Sequence, residues 1–166
     1  MRRPLLSDAA DIHEYASDPE VTRYMEWRTH ADTSQTVEFL KACETRWESG
    51  EEFCWVITVK SASRAVGAIA CRGRGHAVDF GYVINRKLWG RGYATEAARA
   101  VTGWTMTLPG VYRVWATCNA ENLASVRVLE KTGLLLEGRL RRSTIRPNIS
   151  MVPRDTFTFA KTRDSV

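Results

Sequence analysis

The chain of 166 residues lacks the patterns that mark metal-dependent, secreted and membrane proteins. Its three histidines are scattered, and no C-x-x-C pair occurs among its four cysteines, which are Cys43, Cys54, Cys71 and Cys118. This spacing excludes a zinc-finger type of ligand set, and we expect no bound metal. Asp8 precedes any apolar stretch of signal-peptide length, and no apolar run is long enough to cross a bilayer. We therefore expect a reduced, cytoplasmic protein without a membrane role.

Two familiar nucleotide-binding motifs are missing as well. The chain contains no G-x-x-x-x-G-K-[ST] sequence, which excludes a Walker-type phosphate loop. In the one stretch close to G-x-G-x-x-G, Thr95 stands where the third glycine belongs, so a dinucleotide-binding fold is not favoured. The formal charge of +5 suits anionic partners, but so modest an excess does not favour nucleic acid as the main ligand.

What is present is the composition of a globular protein, with 44% hydrophobic and 26% charged residues. The length fits one domain that spans residues 1–166 and buries a core. Periodicity and turn residues predict helices at 9–15, 19–27, 34–48 and 122–132, another between Gly92 and Pro109, and strands at 53–60, 65–72, 77–85, 112–118, 134–144 and 155–161. This order predicts an α+β or mixed α/β fold around one central sheet.

The stretch LWGRGYATEAARA places two glycines before a run of good helix formers. The first N–H groups of a helix have no intrahelical partner, and the helix dipole adds positive charge there. Because Gly90 and Gly92 carry no Cβ, a pyrophosphate could accept hydrogen bonds from several consecutive amides, with Arg91 as a charged contact. We expect the helix to turn Ala94 and Trp104 inward. Taken alone, the glycines equally suit a tight strand-to-helix turn.

Several segments read together resemble a known superfamily. VDFGYVIN, LWGRGYATEAA and ATCNAENLASVRVLEKTGL are similar to the Gcn5-related N-acetyltransferases (GNAT) and, within them, to the RimJ/RimL branch of ribosomal-protein N-terminal acetyltransferases. SDAADIHEYASDPEVTRYMEW and PRDTFTFA extend the resemblance over nearly the whole chain. The resemblance implies an acetyl-CoA-dependent N-acyltransferase with a mostly antiparallel, splayed central sheet flanked by helices.

The resemblance also implies which residues hold acetyl-CoA as the cosubstrate. The pyrophosphate would bind to the loop formed by Trp89, Gly90, Arg91, Gly92, Tyr93 and Ala94. The superfamily pattern starts with glutamine or arginine where this chain has Trp89, so one side-chain donor is missing and Arg91 becomes the main charged contact. The pantetheine arm would lie where the strands VDFGYVIN and YRVWATC splay apart. Asn122 and Ser125 would face the thiol, and Asn122 also suits a helix N-cap.

Two residues are implied to act in catalysis, Ser125 and Asp79. Many relatives carry a tyrosine general acid further along the helix of Ser125, but here that position is Leu129, which cannot donate a proton. Ser125, or a water that it holds, would then protonate the departing thiolate. The alternative interpretation is that Ser125 is a purely structural residue of the first helical turn. Asp79 would relay a proton from the attacking amine through water. The alternative interpretation is that Asp79 is a solvated strand residue without a catalytic role.

The acceptor implied by this branch is a protein N-terminus, which attacks the thioester directly. An α-amino group, with a pKa near ~8, needs only a weak base. Tyr24 and Trp27 could line the acceptor groove, while Gly81 and Tyr82 would shape the opening where acetyl group and amine meet. Gly81 suggests a bulge or a close ligand approach. The alternative acceptor is a small amine such as a polyamine, amino acid or aminoglycoside. The alternative functions are a CoA-binding module without catalysis and a nucleic-acid-binding protein. The protein could be a monomer or a homodimer.

Three further features are interpreted as structural. A second Gly-Arg-Gly, at 73–75, lies between two predicted strands and suits a hairpin turn. Four aromatic residues are expected in the core, namely Tyr24, Trp27, Trp47 and Trp55. The arginines of RLRRSTIRP are expected on a solvated strand face; they are Arg139, Arg141, Arg142 and Arg146. Alternatively, they could contact the ribosome, an acidic substrate or the CoA 3′-phosphate.

Overall fold

A computed structural model describes residues 1–59 and 62–163 of the chain. Its elements are α1 (Ala9–Ala16), α2 (Pro19–Thr22), α3 (Thr33–Ser49), β1 (Phe53–Val59), β2 (Ala62–Arg74), β3 (Ala77–Ile84), α4 (Tyr93–Thr105), β4 (Arg113–Asn119), α5 (Leu123–Lys131), β5 (Leu135–Arg146) and β6 (Ser150–Thr162). Each of them was predicted, although α2 is shorter than expected and β6 begins earlier. Lys60, the last residue of the predicted first strand, lies outside the described residues.

All six strands belong to one sheet with the order β1-β2-β3-β4-β6-β5. Strands β3 and β4 run parallel, and every other neighbouring pair is antiparallel. The predicted mixed α/β architecture with a mostly antiparallel sheet is therefore confirmed. The hairpin between β2 and β3 turns at Gly75, whose φ of 60° is in the left-handed region that favours glycine. The second Gly-Arg-Gly is thus the hairpin turn that was predicted.

The sheet opens between its two parallel strands. β3 and β4 pair through three register partners, Ala77–Arg113, Val78–Val114 and Asp79–Trp115, and the described residues show no pair beyond them. Further along, β3 stays paired with β2 as far as Ile84, and β4 stays paired with β6 as far as Asn119. The two strands therefore form a V whose closed end is at Asp79, which confirms the predicted splay.

Helices cover both faces of the sheet, and each face has its own apolar core. α4 and α5 pack on one face, where their buried residues Ala98, Val101 and Leu129 join side chains such as Phe80 and Val114. α1 and α3 pack on the other face, over β1 and β2, where the buried residues include Ile12, Tyr15, Leu40, Val56 and Ala65.

Two predictions about aromatic residues were wrong. Trp104 does not point inward: it is 43% exposed and meets the ring of Trp55 edge-on at 5.6 Å, because the buried stripe of α4 runs through Ala97, Val101 and Thr105 at intervals of one turn. The four aromatic residues expected in one core cluster separate into two places. Trp47 and Trp55 contact each other at 5.3 Å between ring centroids, while Trp27, 36% exposed, lies against His30 at 5.2 Å.

Candidate active site

The loop before α4 has the conformation that its glycines predict. Gly90 and Gly92 adopt φ values of 75° and 86°, which L-residues with side chains rarely take, and Gly92 is the N-cap residue of α4. A Cβ added at either glycine would meet no protein atom within 4 Å. Packing against the protein therefore does not explain these glycines. The positive φ values explain why glycine is favoured at both positions, and the space beside the two residues is left open for a ligand.

The amides of this loop are available to a ligand. The first hydrogen bond across the start of α4 runs from the N–H of Glu96 to the carbonyl of Gly92. No side chain caps the helix, and within residues 1–59 and 62–163 no acceptor is found for the N–H groups from Gly90 to Ala94. Consecutive free N–H groups at the start of a 13-residue helix have the geometry that suits an anion, so a diphosphate site in this loop stays a prediction.

Trp89 contributes to this loop differently from the glutamine or arginine of the superfamily pattern. Its indole Nε1 donates to the carbonyl of Ile84 at 2.8 Å, which ties the loop to the end of β3. The ring is nevertheless 50% exposed beside the free amides. The side-chain donor is therefore used by the protein and not offered to a ligand, whereas Arg91 is exposed within the loop.

Tyr82 on β3 and Ser125 on α5 meet beside the open V. Tyr82 lies on the part of β3 that β4 does not pair with, and its hydroxyl is 2.9 Å from the Oγ of Ser125 in the first turn of α5. Asn122 caps this helix, as predicted, because its Oδ1 accepts from the N–H of Ser125 at 3.1 Å. Burial raises the pKa of Tyr82 well above its ordinary value. Leu129 is 1% exposed and belongs to the core.

Asp79 is not a solvated strand residue, so that alternative interpretation was wrong. Its side chain is 13% exposed, and its Oδ2 accepts from Arg72 Nη2 at 2.6 Å and from Arg72 Nε at 2.9 Å. Arg72 stands opposite Asp79 in the β2–β3 register and also donates to Glu52 at 3.0 Å. The carboxylate is thus held in a fixed orientation at the closed end of the V. A careful count of register through the hairpin turn would have found Arg72.

Gly81 does not form a bulge, which corrects one of the two interpretations given to it. The β2–β3 register runs without a shift, and Gly81 pairs with Ala70 within it. The residue is exposed, and a Cβ there would meet nothing within 4 Å. The other interpretation, a close approach of ligand to the bare backbone, remains a prediction.

The side chain of Asn148 ties the segment that contains Tyr24 and Trp27 to the tip of the β5–β6 hairpin. Asn148 Nδ2 donates to the carbonyl oxygens of Thr22 at 2.7 Å and Trp27 at 2.9 Å. Its Oδ1 accepts from Thr29 N at 3.0 Å and from Thr29 Oγ1 at 3.2 Å. No pattern in the sequence points to Asn148, because every partner lies more than a hundred residues away along the chain.

The arginine-rich part of β5 is only partly a solvated face. Arg139 is exposed and pairs with Asp155 at 2.7 Å, in agreement with the prediction. Arg146 contradicts it: its side chain is 5% exposed, and its Nη1 reaches Glu26 Oε1 at 3.0 Å. This ion pair is a second link between the Tyr24–Trp27 segment and the hairpin. The partner carboxylate stays 63% exposed, so the pair lies at the surface end of the contact.

Comparison with known proteins identifies the family. The model of the acetyltransferase (GNAT) domain matches residues 1–135. An uncharacterized N-acetyltransferase, p20, of Bacillus licheniformis is 30% identical over 145 residues, which are 85% of this chain and 81% of that protein. A GNAT-family acetyltransferase of Bacillus anthracis is 27% identical, with a TM-score of 0.84 over 97% of this chain and 92% of that one. The chain belongs to the GNAT acetyltransferases and is an acetyl-CoA-dependent enzyme of that family.

The same fold occurs in acetyltransferases that act on different amines. An enzyme from Salmonella typhimurium that modifies the N-terminal serine of a 50S ribosomal subunit protein is 15% identical, with a TM-score of 0.84 over 98% of this chain and 94% of that one. A spermidine N-acetyltransferase from Vibrio cholerae is also 15% identical, with a TM-score of 0.80 over 97% and 93%. These likenesses show the fold, and both acceptor classes are compatible with it.

Two structural absences complete the description of the site. Among the described residues, no group of three or more histidine, cysteine, aspartate or glutamate side chains is placed to hold a metal ion. No helix in the same part of the chain is long and apolar enough to cross a membrane.

Proposed function

We propose that the enzyme transfers the acetyl group of acetyl-CoA to the α-amino group of a protein N-terminus, of the kind found on ribosomal proteins. Residues 1–166 would form one acyltransferase domain that works in the cytoplasm. The observation that carries the choice of acceptor is the charge around the acceptor segment. In the acceptor segment, which contains Tyr24 and Trp27, the carboxylate of Glu26 is paired with Arg146, and in the V the carboxylate of Asp79 is paired with Arg72.

A polycationic acceptor would need unpaired carboxylates to receive its second and third charges. The hairpin beside the acceptor segment instead carries exposed arginines, which would repel a polyamine. It also exposes apolar side chains that suit contact with another protein: Leu140, Ile145, Met151 and Val152 are 41–60% exposed. A neutral or acidic peptide end fits these features better than spermidine does.

Acetyl-CoA would be held as follows. The free amides of the loop Trp89–Ala94 bind the pyrophosphate, and Arg91 adds a charged contact. The pantetheine arm enters the V and uses the backbone groups of β3 that β4 leaves unpaired. Asn122 and Ser125 then lie near the sulfur, and Tyr24, Trp27, Gly81 and Tyr82 surround the acceptor amine. This fit rests on the chain's own geometry, namely bare amides at one end and an open strand pair behind them.

The reaction would proceed by direct attack. The neutral amine nitrogen bonds to the thioester carbonyl carbon, and the C–S bond breaks with its electron pair on sulfur. Asp79 accepts the surplus amine proton through water, and Ser125, or a water that it holds, provides the hydrogen-bond donor for the sulfur. Cysteine chemistry is not required, since all four thiols are buried and lie away from the surface.

The experiment is a mass-spectrometric survey of acceptors incubated with enzyme and acetyl-CoA. Peptides with free N-termini, including acidic and basic sequences, are compared with the same peptides blocked at the N-terminus, and with spermidine, free amino acids and an aminoglycoside. The expected result is acetylation of the free peptides on the α-amine only. Turnover confined to small amines would overturn the acceptor assignment, and CoA binding without turnover of any amine would indicate a binding module.

A further inference from the structure

We propose that Tyr82 is a positioning residue for departure of the thiol: its hydroxyl holds the Oγ of Ser125 so that the serine proton faces the sulfur. This inference rests on the proposed function, which places Ser125 beside the thioester. In many relatives the helix of Ser125 carries a tyrosine that acts as general acid, but this chain has Leu129 at that position. The tyrosine that we assign here comes instead from β3.

Both ends of the Tyr82–Ser125 hydrogen bond are held by the fold. Tyr82 lies on β3 with its ring packed against the core of the α4 face. Ser125 is fixed through its backbone, because its N–H donates to the N-cap side chain of Asn122 at 3.1 Å. The 2.9 Å contact therefore joins β3 to the first turn of α5, along the part of β3 that the strand ladder no longer joins to β4. Such a bond needs little reorganisation during reaction.

The direction of this bond follows from acidity. A phenol, with an ordinary pKa of about 10, is a better donor than an aliphatic alcohol, and the alcohol oxygen is a better acceptor. Tyr82 therefore donates and the Oγ of Ser125 accepts. A serine hydroxyl has a single proton, so that proton is left free to point into the V. Accepting a hydrogen bond also polarises the serine O–H and makes it a stronger donor.

Tyr82 keeps its own proton during the reaction. Burial raises the pKa of Tyr82, whereas an ordinary thiol has a pKa of about 8.5, so full transfer from the phenol to the thiolate is unfavourable. When the C–S bond breaks, the electron pair stays on sulfur and is stabilised by the Ser125 O–H. The amine proton leaves to water at Asp79, and the sulfur takes a proton from water. Tyr82 and Ser125 end the step in the protonation states in which they began.

A double-mutant cycle tests this role. Tyr82→Phe keeps the ring and removes only the hydroxyl, and we expect kcat to fall about three- to tenfold, as for the loss of one hydrogen bond. Ser125→Ala should lower kcat at least as much, and the double variant should fall no further than Ser125→Ala alone. The KM for acetyl-CoA should stay within about twofold, because neither hydroxyl is used in the pyrophosphate site. The pH profile of kcat should keep its shape in Tyr82→Phe.

Thiol release is measured with an acceptor from the survey and also without one, as slow hydrolysis of acetyl-CoA. The leaving group is the same in both assays, so a wrong acceptor assignment would leave the hydrolysis result readable. Tyr112→Phe is the matched control, since Tyr112 is 56% exposed and lies outside the site, and its kcat should not change. Additive losses, an unchanged kcat in Tyr82→Phe, or a loss explained by a lower Tm would each overturn the proposal.

Discussion

The two ends of the site are built in different ways. The donor end is a contiguous stretch, Trp89–Ala94, whose function lies in backbone amides and in the absence of Cβ atoms. The acceptor end joins residues 22–30 to the β5–β6 turn through side chains whose partners are 119 to 126 residues apart. A backbone site depends on few side chains, whereas a site made of side-chain contacts can change with single substitutions. One fold can therefore keep its donor site while its acceptor site changes.

The largest expected effect comes from filling the donor end. Gly92→Val should raise the Kd for CoA about a hundredfold, because the added Cβ blocks several hydrogen bonds to a charged group at once. Stability should fall as well, since a β-branched residue is strained at φ 86°. Gly75→Val is the matched control: Gly75 sits in the other Gly-Arg-Gly, has a positive φ and likewise has nothing near a Cβ. Calorimetry that showed equal CoA affinity in both variants would remove the loop from the donor site.

Asp79 lies at the closed end of the V and belongs to neither binding end, so a change there should affect the chemistry rather than either binding step. Asp79→Asn should lower kcat about tenfold, less than the ~10²–10⁴-fold typical of general-base catalysis, because an α-amine is already partly neutral. The Kd for CoA should be unaffected. Glu48→Gln is the control, because Glu48 in the last turn of α3 forms an exposed pair with Arg3 and is not part of the candidate site, and its rates should match wild type. A normal kcat in Asp79→Asn would leave the Asp79–Arg72 pair with a structural role only.

The acceptor end should respond to loss of Asn148. Asn148→Ala removes four hydrogen bonds, so we expect the KM for the acceptor to rise about fivefold and the free energy of unfolding to fall by about 2 kcal/mol. The Kd for CoA should not change. Asn148→Asp keeps the acceptor oxygen but places a carboxylate oxygen against the carbonyl oxygens of Thr22 and Trp27, so it should be at least as impaired as alanine. A rise in the Kd for CoA that equals the rise in acceptor KM would show that the two ends are not independent.

The same difference explains what could be predicted from the sequence. The glycine loop and the Asn122 cap were accessible because each is set by local chain conformation or by a short motif, whereas the splay was implied by the family resemblance. The ion pair of Asp79 with Arg72 needed the exact strand register, and the burial of Arg146 needed the path of the hairpin back to Glu26. Asn148 had no signal at all. Long-range side-chain contacts depend on the finished tertiary structure, which local periodicity does not contain.

The smallest expected effect is a difference in pH sensitivity between the two ends. Burial lowers the pKa of His30, the charge of His13 on α1 lowers it further, and Asp32 acts in the opposite direction. Its Nδ1 also contacts Thr36 Oγ1 at 2.8 Å. Because the folded pKa lies below the unfolded one, the segment is most stable when His30 is neutral, and it loses stability as the pH falls below about 6.5.

Between about pH 7.5 and about pH 5.5 we therefore expect the acceptor KM of wild type to rise about twofold more than that of His30→Gln. The comparison of variants cancels the protonation of the acceptor amine itself, which is common to both. CoA affinity should show no such difference, since no histidine lies in the loop Trp89–Ala94. If wild type and His30→Gln give parallel pH profiles for the acceptor, His30 does not set the stability of this segment. If CoA affinity follows the same profile as the acceptor KM, the acceptor segment is coupled to the donor loop.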